Sequence, residues 1–138
     1  MLNSITSIYF QNAIGRIVEH PNGYAFVQYH RAKWDVALLR VLLVHLGELL
    51  LSRGWSRILV NLQFIEPLSN VEKEFLVAEW YSCKIPRPVS VVTAYVLADN
   101  VFARLAIHEL QEVARKNNLS QSFGKLEEAE AYLAGLPQ

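Results

Sequence analysis

The chain has 138 residues, enough for one domain with a substantial core and no need of disulfide or metal staples. Hydrophobic residues make up 52% and charged residues 19%, a balance that excludes an intrinsically disordered chain. Thirteen basic residues offset thirteen acidic ones, so no net field draws the protein to nucleic acid or to an anionic membrane surface, and no nucleic-acid partner is expected.

The elements read as follows. Ile14 to Glu19 and Tyr24 to His30 are rich in aromatic and β-branched residues, and Pro21-Asn22-Gly23 between them suits a tight turn, which predicts a β-hairpin. Asp35 can cap the next helix, whose apolar positions Leu38, Leu39, Leu42, Leu43, Leu46, Leu49 and Leu50 recur at helical spacing until Gly54 stops it. Ile58 to Leu62 reads as a buried strand. Ser69 and Glu72 form a capping-box pair that starts a second helix running to about Cys83. Pro86 and Pro88 break the chain before Val89 to Leu97, a run too apolar to have a solvent face and therefore a central strand.

A third helix is expected from Asn100 to Lys116, with Val101, Leu105, Ile107, His108, Leu110 and Val113 on its inner side and Asn117-Asn118 at its end. Gln121 to Phe123 then suits a short edge strand, and Lys125 to Leu136 a last helix packed through Leu126, Ala129, Tyr132 and Leu133. The expected fold is α/β over residues 1–138 as a single domain. Its order is β-β-α-β-α-β-α-β-α, a mixed, mostly parallel sheet covered by helices.

Phe123-Gly124-Lys125-Leu126-Glu127-Glu128-Ala129-Glu130-Ala131-Tyr132-Leu133 resembles the end of small stand-alone bacterial proteins of the STAS and CRAL-TRIO-like group, where a phenylalanine precedes a Leu-Glu-Glu-Ala helix with an aromatic-Leu pair. Ala78-Glu79-Trp80 and Ala98-Asp99-Asn100-Val101-Phe102 look similar to the same group, and the element order is that of the STAS domains, the family of anti-sigma-factor antagonists. The resemblance implies a STAS-like fold and a regulatory role exercised through protein contacts. It also implies a phosphoacceptor serine at the start of the second helix. Here the stretch is Glu66-Pro67-Leu68-Ser69: Pro67 and Leu68 stand at the acceptor positions and only Ser69 remains nearby, with N-capping as a sufficient alternative role.

Other chemistry finds little support. The four histidines are dispersed; His108 and Glu112 share a helix face but lack a third ligand, so no metal and no cofactor are expected. No Gly-x-Ser-x-Gly elbow and no glycine-rich phosphate loop occurs, and Cys83, beside Lys84 but at a helix end, reads as an inert thiol. The chain is therefore expected not to be an enzyme.

Apolar residues lie nearly all round the first helix, which marks Val41, Val44 and Leu51 either as core or as an interface for a homodimer or a protein partner. Phe75, Trp80, Tyr81 and Phe102 are candidates for an apolar pocket that could take a lipid or an apolar small molecule, as relatives of the resembled group imply, with core packing as the alternative. The lone cysteine agrees with a reducing compartment, and Met1 to Phe10 lacks the pattern of a signal peptide, so a cytoplasmic location is expected. Val36 to Leu51 is interrupted by Arg40, His45 and Glu48 and is shorter than the ~20 residues of a bilayer span, so no transmembrane segment is expected.

Overall fold

A computed structural model describes residues 7–115 and 118–137. Its elements in chain order are β1 (Ile8–Asn12), β2 (Gly15–His20), β3 (Tyr24–Tyr29), α1 (Val36–Arg53), β4 (Arg57–Asn61), α2 (Asn70–Phe75), β5 (Val91–Val96), α3 (Val101–Val113), β6 (Asn118–Phe123) and α4 (Leu126–Ala134). The α/β class holds, with two corrections: the last strand begins at Asn118, expected to end the third helix, and a strand, β1, precedes the expected hairpin. Its sequence, Ile-Tyr-Phe-Gln-Asn, alternates poorly and its register with β2 shifts between Ile8 and Phe10, which blurs the period-two signal. The expected end of the third helix at Lys116 and Asn117 lies outside the described residues.

The sheet runs β1-β2-β3-β4-β5-β6, so each strand lies beside its sequence neighbour. The first three pair antiparallel and the rest parallel. Gly23, at φ 87°, takes the left-handed position that closes the β2–β3 turn. Each parallel step needs a crossover helix, and crossovers of one hand that all advance in the same direction place their helices on one face. Accordingly α1, α2 and α3 share the main core with Ile17, Val27, Ile58, Val60, Val91 and Tyr95. Helix α4 alone covers the opposite face, packing Ala129 and Leu133 on Tyr24, Leu59, Ala94 and Val96.

Local signals decide where the helices begin and end. Asp35 accepts from the amides of Ala37 and Leu38 and starts α1, and Gly54, at φ 70°, ends it. Ser69 and Glu72 make the reciprocal capping box of α2. Past Phe75 that helix widens into a π-helical turn, Leu76–Tyr81, which re-aims Trp80 and Tyr81 relative to a regular helix. Cys83 then reverses the chain at φ 66°, a left-handed conformation unusual for a residue with a Cβ. Arg57 donates to the carbonyls of Leu133 and Leu136 and so closes the end of α4.

The structure decides one open question about helix faces and revises one expectation. Helix α1 buries Leu39, Leu42, Leu43, Leu46, Gly47, Leu49 and Leu50 between the sheet, α2 and the loop before β5, so most of its leucines are core. Helix α3 turns Ala103, Ala106, Ile107 and Leu110 inward, whereas Val101, Leu105, His108 and Val113, expected inside, face solvent. Two arcs of α3 are apolar, and hydrophobicity alone does not choose between them; packing buries the one that carries Ala103, Ala106, Ile107 and Leu110.

Gly47 shows the tightness of the packing over α1. A Cβ there would overlap the carbonyl of Pro86, which belongs to the loop crossing the helix. Replacing a helix-interior glycine by alanine ordinarily stabilises by ~1 kcal/mol. Here overpacking reverses the sign, and Gly47→Ala is expected to destabilise by about 1–3 kcal/mol in chemical denaturation. A stabilised Gly47→Ala variant would show that the loop yields freely.

Candidate functional site

Two features stand apart from ordinary packing: a polar cluster inside the main core and an apolar surface on α3. The first is built where β3, β5 and the π-helical turn meet. Period-two alternation sends Tyr29 and Tyr95 to the helix-covered face, and the widened turn brings Tyr81 against them, its hydroxyl 3.1 Å from that of Tyr95. With Trp34, Thr93 and Trp80 they line a small cavity of about 40 Å³ among aliphatic side chains. Trp34 packs on the Tyr29 ring, and its buried Nε1 has no hydrogen-bond partner.

Burial raises the pKa of Tyr29, Tyr81 and Tyr95; the neighbouring Tyr81 raises those of Tyr29 and Tyr95 further, and the hydroxyl contact with Tyr95 partly offsets the effect at Tyr81. The cluster thus presents neutral hydroxyls and an indole N–H. Outside it, burial and then the charge of Glu130 push the Tyr24 hydroxyl up to about 12.

Arg87 anchors this region. Its guanidinium lies over the Trp80 ring and donates to the carbonyls of Trp80 and Pro88 and to Oδ1 of Asn118. Burial lowers its pKa, yet a guanidinium remains charged at every physiological pH. One side chain thereby ties the π-helical turn, the loop before β5 and the start of β6 together.

The surface feature is the outward side of α3. Val101 (60% exposed), Phe102 (72%), Leu105 (56%) and Val113 (67%) lie within one arc of the helix, interrupted by Glu109 and Glu112. Beside them a groove of about 330 Å³ runs between α2 and α3, lined by Lys73, Glu74, Val77, Ala78, Glu109, Leu110 and Val113. Lys73 and Glu109 bridge it at 3.4 Å. A further cleft of about 400 Å³ lies at the carboxyl ends of β4 and β5. Arg31 stacks over Phe64 there, beside Glu66 and Asp99.

The structure places the expected site residues unequally. Phe75 and Trp80 are buried in the main core and Tyr81 packs against it, with Trp80 and Tyr81 both at the cavity. Phe102 does not join them, because it sits on the solvent side of α3. Ser69 is exposed, and its hydroxyl is engaged as the helix cap. Val44 packs against the core, while Val41 and Leu51 are exposed, about 15 Å apart along α1, and form no common patch. Among the described residues, no three His, Cys, Asp or Glu side chains gather to hold a metal, and no helix is long and apolar enough to cross a membrane.

Trp34, Tyr29, Tyr95 and Arg87 were not legible as a group. The signals available were strand parity for the tyrosines and a lone arginine between two prolines. No known family model matches the chain, and no protein of curated function matches it.

Two outcomes test this description. Arg87→Lys is expected to lose at least ~2 kcal/mol of stability, since one ammonium nitrogen cannot reach the three acceptors that three separate guanidinium nitrogens meet; stability equal to wild type would remove Arg87 from its anchoring role. The raised native pKa values of the buried tyrosines mean that their contribution is complete below the ordinary value of ~10 and is lost as pH rises through it toward the native values. Alkaline titration should therefore show tyrosinate absorbance from this cluster developing together with loss of circular dichroism. Full ionisation in a still-folded chain would contradict the burial.

Proposed function

We propose that the chain is a non-enzymatic regulatory domain of STAS-like type that binds a partner protein through the outward face of α3. The observation that carries this reading is the run Val101, Phe102, Leu105 and Val113, all more than half exposed on a helix whose inner face is already filled by Ala103, Ala106, Ile107 and Leu110. Large apolar side chains grouped on the exposed side of one helix mark an interaction surface more often than single scattered ones do. Glu74 and Glu112 stand beside it while Glu109 is paired with Lys73, which favours a partner with basic residues around an apolar centre and an on-rate that falls with salt.

The protein-interaction reading is preferred to a lipid or apolar small molecule held beside Trp80 and Tyr81, because the aromatic cavity there holds about 40 Å³, whereas pockets for such ligands hold ~300–1,000 Å³. The likeness of Phe123 to Leu133 to the STAS-like group supports the regulatory part of the proposal.

Photo-crosslinking in the native host tests it. A photoreactive phenylalanine analogue at position 102 should capture a discrete host protein, and Leu105→Asp in the same chain should abolish the capture while shifting stability by no more than ~0.5 kcal/mol. Capture that survives Leu105→Asp, or that occurs equally from exposed position 48, would overturn the assignment of this face.

A further inference from the structure

We infer that β6 is a self-association edge, through which two copies of the chain pair antiparallel about a twofold axis at Gln121. The inference is independent of the α3 surface and concerns a different partner, a second copy. Strand β6 ends the sheet, and among the described residues no strand pairs with its outer side. Such an edge presents unpaired amides and carbonyls, and proteins usually defend it with lysine, proline, a bulge or inward charge. Asn118-Leu119-Ser120-Gln121-Ser122-Phe123 has no charged residue and no proline, and its pairing with β5 runs without a shift from Val91–Asn118 to Val96–Phe123. At the other edge, β1 carries an irregularity between Ile8 and Phe10.

The backbone parity of β6 determines which groups point outward. Leu97 donates to the carbonyl of Phe123, so Leu119, Gln121 and Phe123 direct their backbone groups to β5, and Ser120 and Ser122 direct theirs away from the sheet. Residues directly opposite in an antiparallel pair share a face, so a twofold axis must pass through a residue position. At Gln121, Ser120 of one copy stands opposite Ser122 of the other. These are the outward-directed positions, and their two symmetric pairs exchange about four backbone hydrogen bonds.

The same register sets Leu119 (63% exposed) opposite Phe123 of the second copy, extending the apolar layer of Phe123 and Tyr132. An axis at Ser120 would instead put Leu119 opposite Gln121, leaving it without an apolar partner. Gln111 donates to both Ser120 and Ser122 hydroxyls and so holds the two positions that flank the axis. The edge adjoins a groove of about 360 Å³ lined also by His108, Glu112 and Arg115, whose charges have both signs and raise no like-charge barrier.

An interface of this kind is small beside the ~1,200–2,000 Å² of a stable complex, so a concentration-dependent monomer–dimer equilibrium is expected. Sedimentation equilibrium of wild type, Gln121→Lys and Leu105→Asp tests the inference. Wild type and Leu105→Asp should dimerise alike in the micromolar to millimolar range, and Gln121→Lys, which brings two ammonium groups together on the axis, should weaken dimerisation at least tenfold. Gln121 is exposed, so the variant should retain the wild-type melting temperature.

Register is read separately. In a Cys83→Ser background, Gln121→Cys should form an intermolecular disulfide on mild oxidation, because opposed Cα atoms in a non-hydrogen-bonded pair lie ~4.5 Å apart, within the ~4.4–6.8 Å that a disulfide spans. Ser120→Cys should not. A wild-type chain that stays monomeric, a Gln121→Lys variant that dimerises unchanged, or crosslinking from position 120 in place of 121 would each overturn the proposal.

Discussion

The architecture depends on one topological constraint: the sheet grows by one strand per crossover, always in the same direction. With crossovers of one hand, α1, α2 and α3 have no choice of side, and the main core forms where they meet the sheet. The opposite face is left to whatever follows β6, and α4 folds back to cover Tyr24, Leu59, Ala94 and Val96. The two hydrophobic clusters follow from this single ordering, as does the position of β6 as a terminal edge.

Crowding three helices on one face has consequences for individual residues. The loop before β5 must pass over α1, and only glycine at position 47 lets the Pro86 carbonyl sit against the helix. The loop is held by Arg87, which reaches Trp80 on one side and Asn118 on the other. Arg87 thus couples the π-helical turn, and with it the tyrosine cluster, to the beginning of the edge strand. A charged fork serves here where an apolar side chain could not, because the carbonyls it meets are themselves buried and need donors.

The third helix connects fold to function. Its inner face is filled by Ala103, Ala106, Ile107 and Leu110, and the larger Val101, Phe102, Leu105 and Val113 are left outside, where they add nothing to the core. Beside it, Gln111 supports the serines of β6. A face suited to a heterologous partner and an edge suited to a second copy therefore lie on neighbouring elements, and one side of the molecule can serve both contacts without the interior opening.

The sequence by itself determined what local chemistry controls: the capping box at Ser69 and Glu72, the Gly54 stop, the turn at Pro21-Asn22-Gly23, and the buried strands centred on Leu59 and Ala94. It also carried the α/β alternation, since helix and strand periods differ along the chain. It did not reveal β1, whose pairing is irregular, nor the rotation of α3, because that helix carries two apolar arcs and either could have been the inner one. Phe102 lies on the outer arc, and Trp34, Tyr29, Tyr81, Tyr95 and Arg87 meet only across elements far apart in sequence. Which apolar residues become core and which remain surface was decided by tertiary structure, because the number of sheet-facing places is limited by geometry and not by how many hydrophobic residues compete for them.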